Sequence, residues 1–180
     1  MVLVYEVAPI VTSLFGVATI LVYLFMLLKK KETLASFKRS CYAFLFLALL
    51  IGPVLIVNSV MKEFSGRARP REVVQFGGEK NFTPAFVIAN QCNRNCSFVS
   101  GHSSAGFYFV SLALILKGWR RRAVFWSAIF SGGVIGLVRI IQGGHFLSDV
   151  VFSFVFVYLS SLLLHYFMFK YKKDTDEIST

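Results

Sequence analysis

Residues 41–61 read CYAFLFLALLIGPVLIVNSVM, an apolar run without a single charged side chain. A helix needs roughly 20 such residues to cross the hydrocarbon of a bilayer, and this run supplies them. Four further apolar blocks, 1–28, 104–116, 124–141 and 150–169, carry the same signal. Of the 180 residues 56% are hydrophobic and 16% charged, whereas soluble domains are about a quarter charged. The mean hydropathy of +0.67 agrees. The chain is therefore expected to be an all-α, polytopic membrane helix bundle in one domain covering 1–180. Its spans are placed near 3–28, 41–61, 100–116, 123–141 and 147–169. A partly helical exoplasmic loop over 62–99 and a cytoplasmic tail over 170–180 complete the expectation. The 104–116 block is short, and it gains length if its helix begins near Ser100. The first block is read as a retained span rather than a signal peptide, because Lys29, Lys30 and Lys31 follow it instead of preceding it.

The formal net charge is +10, and its distribution argues for topology rather than nucleic acid. Lys29, Lys30, Lys31, Lys38 and Arg39 follow the first span. Lys117, Arg120, Arg121 and Arg122 follow the third, and Lys170, Lys172 and Lys173 follow the fifth. In a five-span serpentine these clusters share one face, which the positive-inside rule makes cytoplasmic. The other basic residues, Lys62, Arg67, Arg69, Arg71, Lys80, Arg94 and Arg139, fall on the face that the rule leaves poor in positive charge. An anionic ligand is the simplest reason.

Three clusters meet at that boundary: KEFSGRARP at 62–70, VSGH at 99–102, and a third running from Arg139 through His145 to Asp149. Each has a structural explanation taken alone. Lys62 and Arg69 suit snorkelling cations, Ser100 suits a helix cap, and His145 and Asp149 suit an i,i+4 helix pair. Together they read Lys-x6-Arg-Pro, Ser-Gly-His and Arg-x5-His-x3-Asp, in order and on one side. This resembles the type 2 phosphatidic acid phosphatase family, the integral membrane branch of the vanadium haloperoxidase-like phosphatases. The resemblance covers about half of the chain. Val99 stands where the family usually has Pro and Val138 where it usually has Ser, and most members have six spans.

The residue types suit phosphate-ester hydrolysis. Phosphoryl transfer is catalysed largely by positioned charge and donors. Arg69 and Arg139 offer planar forks, Lys62 a compact charge, Ser100 a hydroxyl, and Gly101 a backbone a phosphate can approach. His145, with Asp149 one turn on, can act as a nucleophile, and His102 as acid and base. The chemistry alone does not rank the two histidines; the resemblance implies that His145 is the nucleophile, forming a phosphohistidine, and His102 the acid–base. No metal or cofactor is expected, since cationic side chains supply the charge. His165, near the cytoplasmic face, reads as structural.

The pocket opens at the membrane surface, so the expected substrate is a phosphorylated membrane lipid, with no nucleic acid and no obligate protein partner evident. Arg67, Arg71 and Arg94, with Lys80, are possible contacts for a second anionic group. The motif CSFVSGHSSAG looks most like the bacterial lipid A phosphatase branch. That implies removal of the 1- or 4′-phosphate of lipid A at the periplasmic face of an inner membrane, with a slight preference for the 1-phosphate. Undecaprenyl diphosphate and phosphatidylglycerol phosphate phosphatases, or a lipid phosphotransferase, share the motifs. A catalytically silent component or a lipid transporter is the alternative of another class, although a transporter places its polar groups nearer the midplane. Cys92 and Cys96 face an oxidising compartment in this topology, so a disulfide is expected there ahead of free thiols or a metal site. The sequons at Asn81 and Asn95 are read as coincidence.

Overall fold

A computed structural model describes residues 33–171 and the isolated positions Ile10, Leu14, Val17, Ala18 and Leu21, with side chains described from Ser40 to Phe169 in the main segment. Most of the expected span at 3–28, the lysines at 29–31, the side chains of Lys38 and Arg39 and most of the tail at 170–180 lie outside these descriptions. Among the described residues the molecule is helical, with one isolated bridge between Val73 and Lys80.

Among the described residues three helices are long and apolar enough to cross a bilayer: Ser40–Phe64, Gly118–Ile141 and Leu147–Phe169. The first begins as α1, Thr33–Leu49, and continues without interruption through Leu50–Met61 into a last turn, Lys62–Phe64. Pro53 lies inside it and has no N–H to give the ladder. The helix widens there to i→i+5 hydrogen bonding. Asn58 Nδ2 donates to Pro53 O at 2.8 Å, and Ser59 Oγ donates to Val54 O at 3.0 Å.

The span expected at 100–116 differs from a single helix. It consists of α2, Gly101–Phe107, and α3, Val110–Ile115. The Ser111 amide and hydroxyl both donate to the Tyr108 carbonyl, at 2.9 and 2.7 Å, which tightens the turn between them. The Tyr108 hydroxyl donates to Leu45 O at 2.8 Å and ties the break to α1. This broken helix is enclosed by its neighbours, and Ser103 through Tyr108 are all buried. Small side chains allow that approach. A Cβ on Gly106 would stand 2.7 Å from Gly132 Cα, and one on Gly132 would run into the Phe107 ring.

Two long helices follow: α4, Gly118–Ile141, and α5, Leu147–His165, which is prolonged by Tyr166–Tyr171. Among the described residues the core has two parts. Val57, Phe98, Val99, Phe107, Val150 and Val157 pack beneath the 62–99 loop, and Phe44, Leu45, Ala48 and Tyr108 pack at the other end. His165 belongs to the second, with its ring edge-on to Phe44 at 5.6 Å.

The 62–99 loop contains two single helical turns, Pro70–Glu72 and Val74–Phe76. Its end returns to its beginning: Cys96 N donates to Lys62 O, Ser97 N to Arg67 O, and Ala89 N to Ser65 O, at 3.2, 2.9 and 3.0 Å. Gly66, at φ +59, permits the last contact, since a Cβ there would overlap Ala89 O. Arg71 N donates to Gly143 O at 3.1 Å, joining the loop to the turn between α4 and α5.

Candidate active site

These connections bring the Lys62–Phe64 end of the first long helix, the start of α2, the end of α4 and the start of α5 to one place. Lys62 is 9% exposed, with Nζ 3.3 Å from Asn95 Oδ1. Ser100 has an extended backbone and caps α2: its hydroxyl accepts from Ser103 N at 3.4 Å and lies 2.8 Å from Ser103 Oγ. Gly101 is required at the next position, because a Cβ there would meet Asn58 Oδ1 and stand 2.9 Å from Lys62 Nζ.

Arg69, partly exposed, donates from Nη2 to Asn95 O at 2.9 Å. Asn95 therefore receives both cations, one on its side chain and one on its backbone. It does so with φ at 52°, a conformation asparagine tolerates better than most residues. Arg139, buried in the last turn of α4, donates to Gln142 Oε1 at 2.6 Å. The following turn folds over the guanidinium because Gly144 has no Cβ, which would fall 2.8 Å from Arg139 Nη2. Lys62, Arg69, Arg139 and His145 all lie within electrostatic reach of His102. The three cations and two histidines singled out by their spacing thus share one site.

His145 and Asp149 are 1% and 0% exposed. His145 Nδ1 lies 2.7 Å from the Ser97 carbonyl and 3.5 Å from Asp149 Oδ2. A carbonyl can only accept, so Nδ1 carries the ring proton and Nε2 keeps its lone pair. Burial holds the His145 pKa below its usual value; Asp149 works in the opposite direction, and Lys62 and Arg139 add to the lowering. The result is a neutral imidazole of fixed tautomer. Nδ1 thus faces two acceptors, the Ser97 carbonyl at 2.7 Å and the Asp149 carboxylate one turn on at 3.5 Å.

Asp149 is held by three donors. Arg67 Nη1 donates to Oδ1 at 2.6 Å, and Ser97 Oγ and Phe146 N donate to Oδ2 at 2.6 and 2.9 Å. Arg67 also donates to Ser148 Oγ at 3.0 Å, and its guanidinium lies 4.2 Å from the Phe146 ring centre. At 3% exposure it is an internal counter-ion rather than the second anion contact its position in the loop suggests. Lys80 pairs with Glu72 at 3.0 Å, while Arg71 and Arg94 keep exposed side chains. Spacing gave no sign of Ser97, Asn95 or Gln142. Ser97 acts through its carbonyl as well as its hydroxyl, and a carbonyl has no sequence signature.

Cys92 and Cys96 form a disulfide with Cα atoms 5.6 Å apart, just before Ser97. Among the described residues no group of three or more His, Cys, Asp or Glu side chains could hold a metal ion.

A family model described as the PAP2 superfamily matches residues 41–173. The chain is 45% identical over 136 residues to a lipid A 4′-phosphatase of Francisella tularensis subsp. novicida, covering 75% of this chain and 61% of that one. It is 44% identical over 117 residues to a lipid A 4′-phosphatase of Rhizobium leguminosarum, covering 64% and 48%. The same name belongs to a Rhizobium etli protein, 43% identical over 118 residues, covering 65% and 44%. The chain thus spans between 44% and 61% of the length of these relatives. No solved structure matches it.

Proposed function

Since the chain belongs to the PAP2 superfamily, we propose that it is a membrane lipid phosphatase removing the 4′-phosphate of lipid A through a phosphohistidine on His145. The observation that carries the chemistry is the fixed tautomer of His145. Its Nδ1 proton is committed to Ser97 O at 2.7 Å, which leaves Nε2 as an unprotonated nucleophile beside Lys62 and Arg139. In the first step Nε2 bonds to phosphorus and the P–O bond to the lipid breaks. His102 gives its proton to the departing alkoxide. The same His102 then takes a proton from water, whose oxygen attacks phosphorus as the P–N bond breaks, releasing inorganic phosphate. Lys62, Arg69 and Arg139 hold the phosphoryl oxygens in both steps. Ser100 and Gly101 shape the wall on the α2 side.

The relatives' names favour the 4′-phosphate over the 1-phosphate that the sequence reading slightly preferred. The site lies at the Ile141 end of α4, whereas Lys117, Arg120, Arg121 and Arg122 flank its Gly118 end. The positive-inside rule then supports an inner-membrane protein with its site on the periplasmic side. Purified protein incubated with lipid A, undecaprenyl diphosphate or phosphatidylglycerol phosphate tests the reading. Phosphate release from lipid A, with mass spectra showing the product to be the 1-monophosphate, is expected. Preferential release from either other lipid, or a product retaining the 4′-phosphate, contradicts it.

A further inference from the structure

Beside the phosphate site lies a second feature that the mechanism does not use. A pocket of about 200 Å³ opens between the end of the first long helix and the loop at 84–88, lined by Val60, Phe64, Phe86, Val87 and Phe98, with Arg67 also on its wall. Neither Lys62 nor either catalytic histidine lines it.

Its depth identifies its surroundings. The Phe86 ring lies 4.5 Å from that of Phe152 and 6.4 Å from that of Phe156. Those residues are five and nine positions into a spanning helix that begins at Leu147. At 1.5 Å per residue they sit roughly 7 and 13 Å along its axis. Val60 and Phe64 belong to another spanning helix, Ser40–Phe64. The loop therefore dips alongside helices in the hydrocarbon, where irregular backbone is tolerated if it lines a cavity or is covered by protein. Phe64 and Ile88 are 71% and 84% exposed at the rim, consistent with a lipid-facing mouth.

Strain provides an independent sign. Phe86 has φ +65, a conformation costly for a bulky side chain and retained only where the surroundings fix it. Ring contacts with Phe98, Phe152 and Phe156 fix it here, at one wall of the pocket.

We infer that this pocket binds an acyl chain of the phosphorylated lipid substrate; the inference rests on the lipid-phosphatase reading. The substrate, rather than a bulk lipid, is the occupant because the walls continue into the catalytic machinery. Phe98 is separated from Ser100 only by Val99, and Arg67 reaches from the pocket wall to Asp149. A chain held there belongs to the molecule whose headgroup lies at the converging helix ends.

The test uses the full chain in nanodiscs and a lipid A carrying the 4′-phosphate and one diazirine acyl chain. Photolabelling is expected on residues 84–88 and to be displaced by unlabelled lipid A but not by phosphatidylethanolamine. Label scattered over the lipid-facing sides of α4 and α5, or displaced equally by both lipids, overturns the proposal. Labelling requires no turnover, so failure of the hydrolysis reading registers separately. In a second arm, Val87→Trp fills the pocket. It should raise KM for lipid A roughly tenfold, as expected when about two methylenes leave an apolar site. Turnover of p-nitrophenyl phosphate should be unchanged, which also reports that the variant is folded. An unchanged KM for lipid A, or equal losses with both substrates, contradicts the assignment.

Discussion

At the residue scale the proposed chemistry depends on how one imidazole is kept neutral and correctly oriented. The Ser97 carbonyl sets the His145 tautomer, Asp149 is held by Ser97 and Arg67, and Arg67 is itself buried. Removing one member of a buried ion pair leaves an uncompensated charge, which costs about 3–5 kcal/mol. Arg67→Met should therefore lower thermal stability in detergent by about that amount as well as activity, whereas Arg94→Ala, at an exposed position, should alter stability by less than about 0.5 kcal/mol. Equal stability of the two variants would contradict the internal role of Arg67. The pH profile follows from the lowered His145 pKa. The reactive form is neutral, so activity should persist as pH falls through the ordinary histidine value of about 6.5 and fail only at the lower folded-state value. His145 also contributes stability that is fully present above its unfolded-state pKa and is lost as pH falls through the folded one. An acid limb of kcat/KM at or above about 6.5 would contradict this. The motif residues were legible from spacing because each sits at a fixed offset along one segment. Arg67 was misread and Ser97 missed because their roles are set by contacts 82 and 48 positions away in the chain.

At the element scale, the close meeting of α2 with α4 decides whether the Ser-Gly-His wall reaches the cations. Gly132 faces Phe107, while a Cβ on its neighbour Gly133 would find no heavy atom within 4 Å. Gly132→Ala should destabilise by roughly 1–3 kcal/mol through overpacking. Gly133→Ala should be neutral or stabilise by roughly 0.5–1 kcal/mol through reduced backbone freedom. Thermal unfolding in detergent measures both, and a larger loss at Gly133 would contradict the packing. The three long helices were visible in the sequence as apolar runs. The break in 101–115 was not, because residues 104–116 read equally well as one apolar helix. What breaks it is tertiary: Tyr108 is drawn to Leu45 O, and Ser111 takes up the Tyr108 carbonyl.

At the scale of the whole molecule, the charge pattern and the site are opposed along α4, with basic residues at its Gly118 end and Arg139 at the other. The proposed outward-facing site accords with this polarity, and the end of the 62–99 loop returns to its own start through Cys96 and Ser97. The central claim is covalent: phosphate passes from the lipid to Nε2 of His145 and then to water. Rapid acid-free quenching of the protein with lipid A carrying ³²P at the 4′ position tests it most directly. The predicted result is acid-labile, alkali-stable label on a peptide containing His145, absent from His145→Ala. Turnover of the lipid without any protein-bound label, or equal label in His145→Ala, would contradict it.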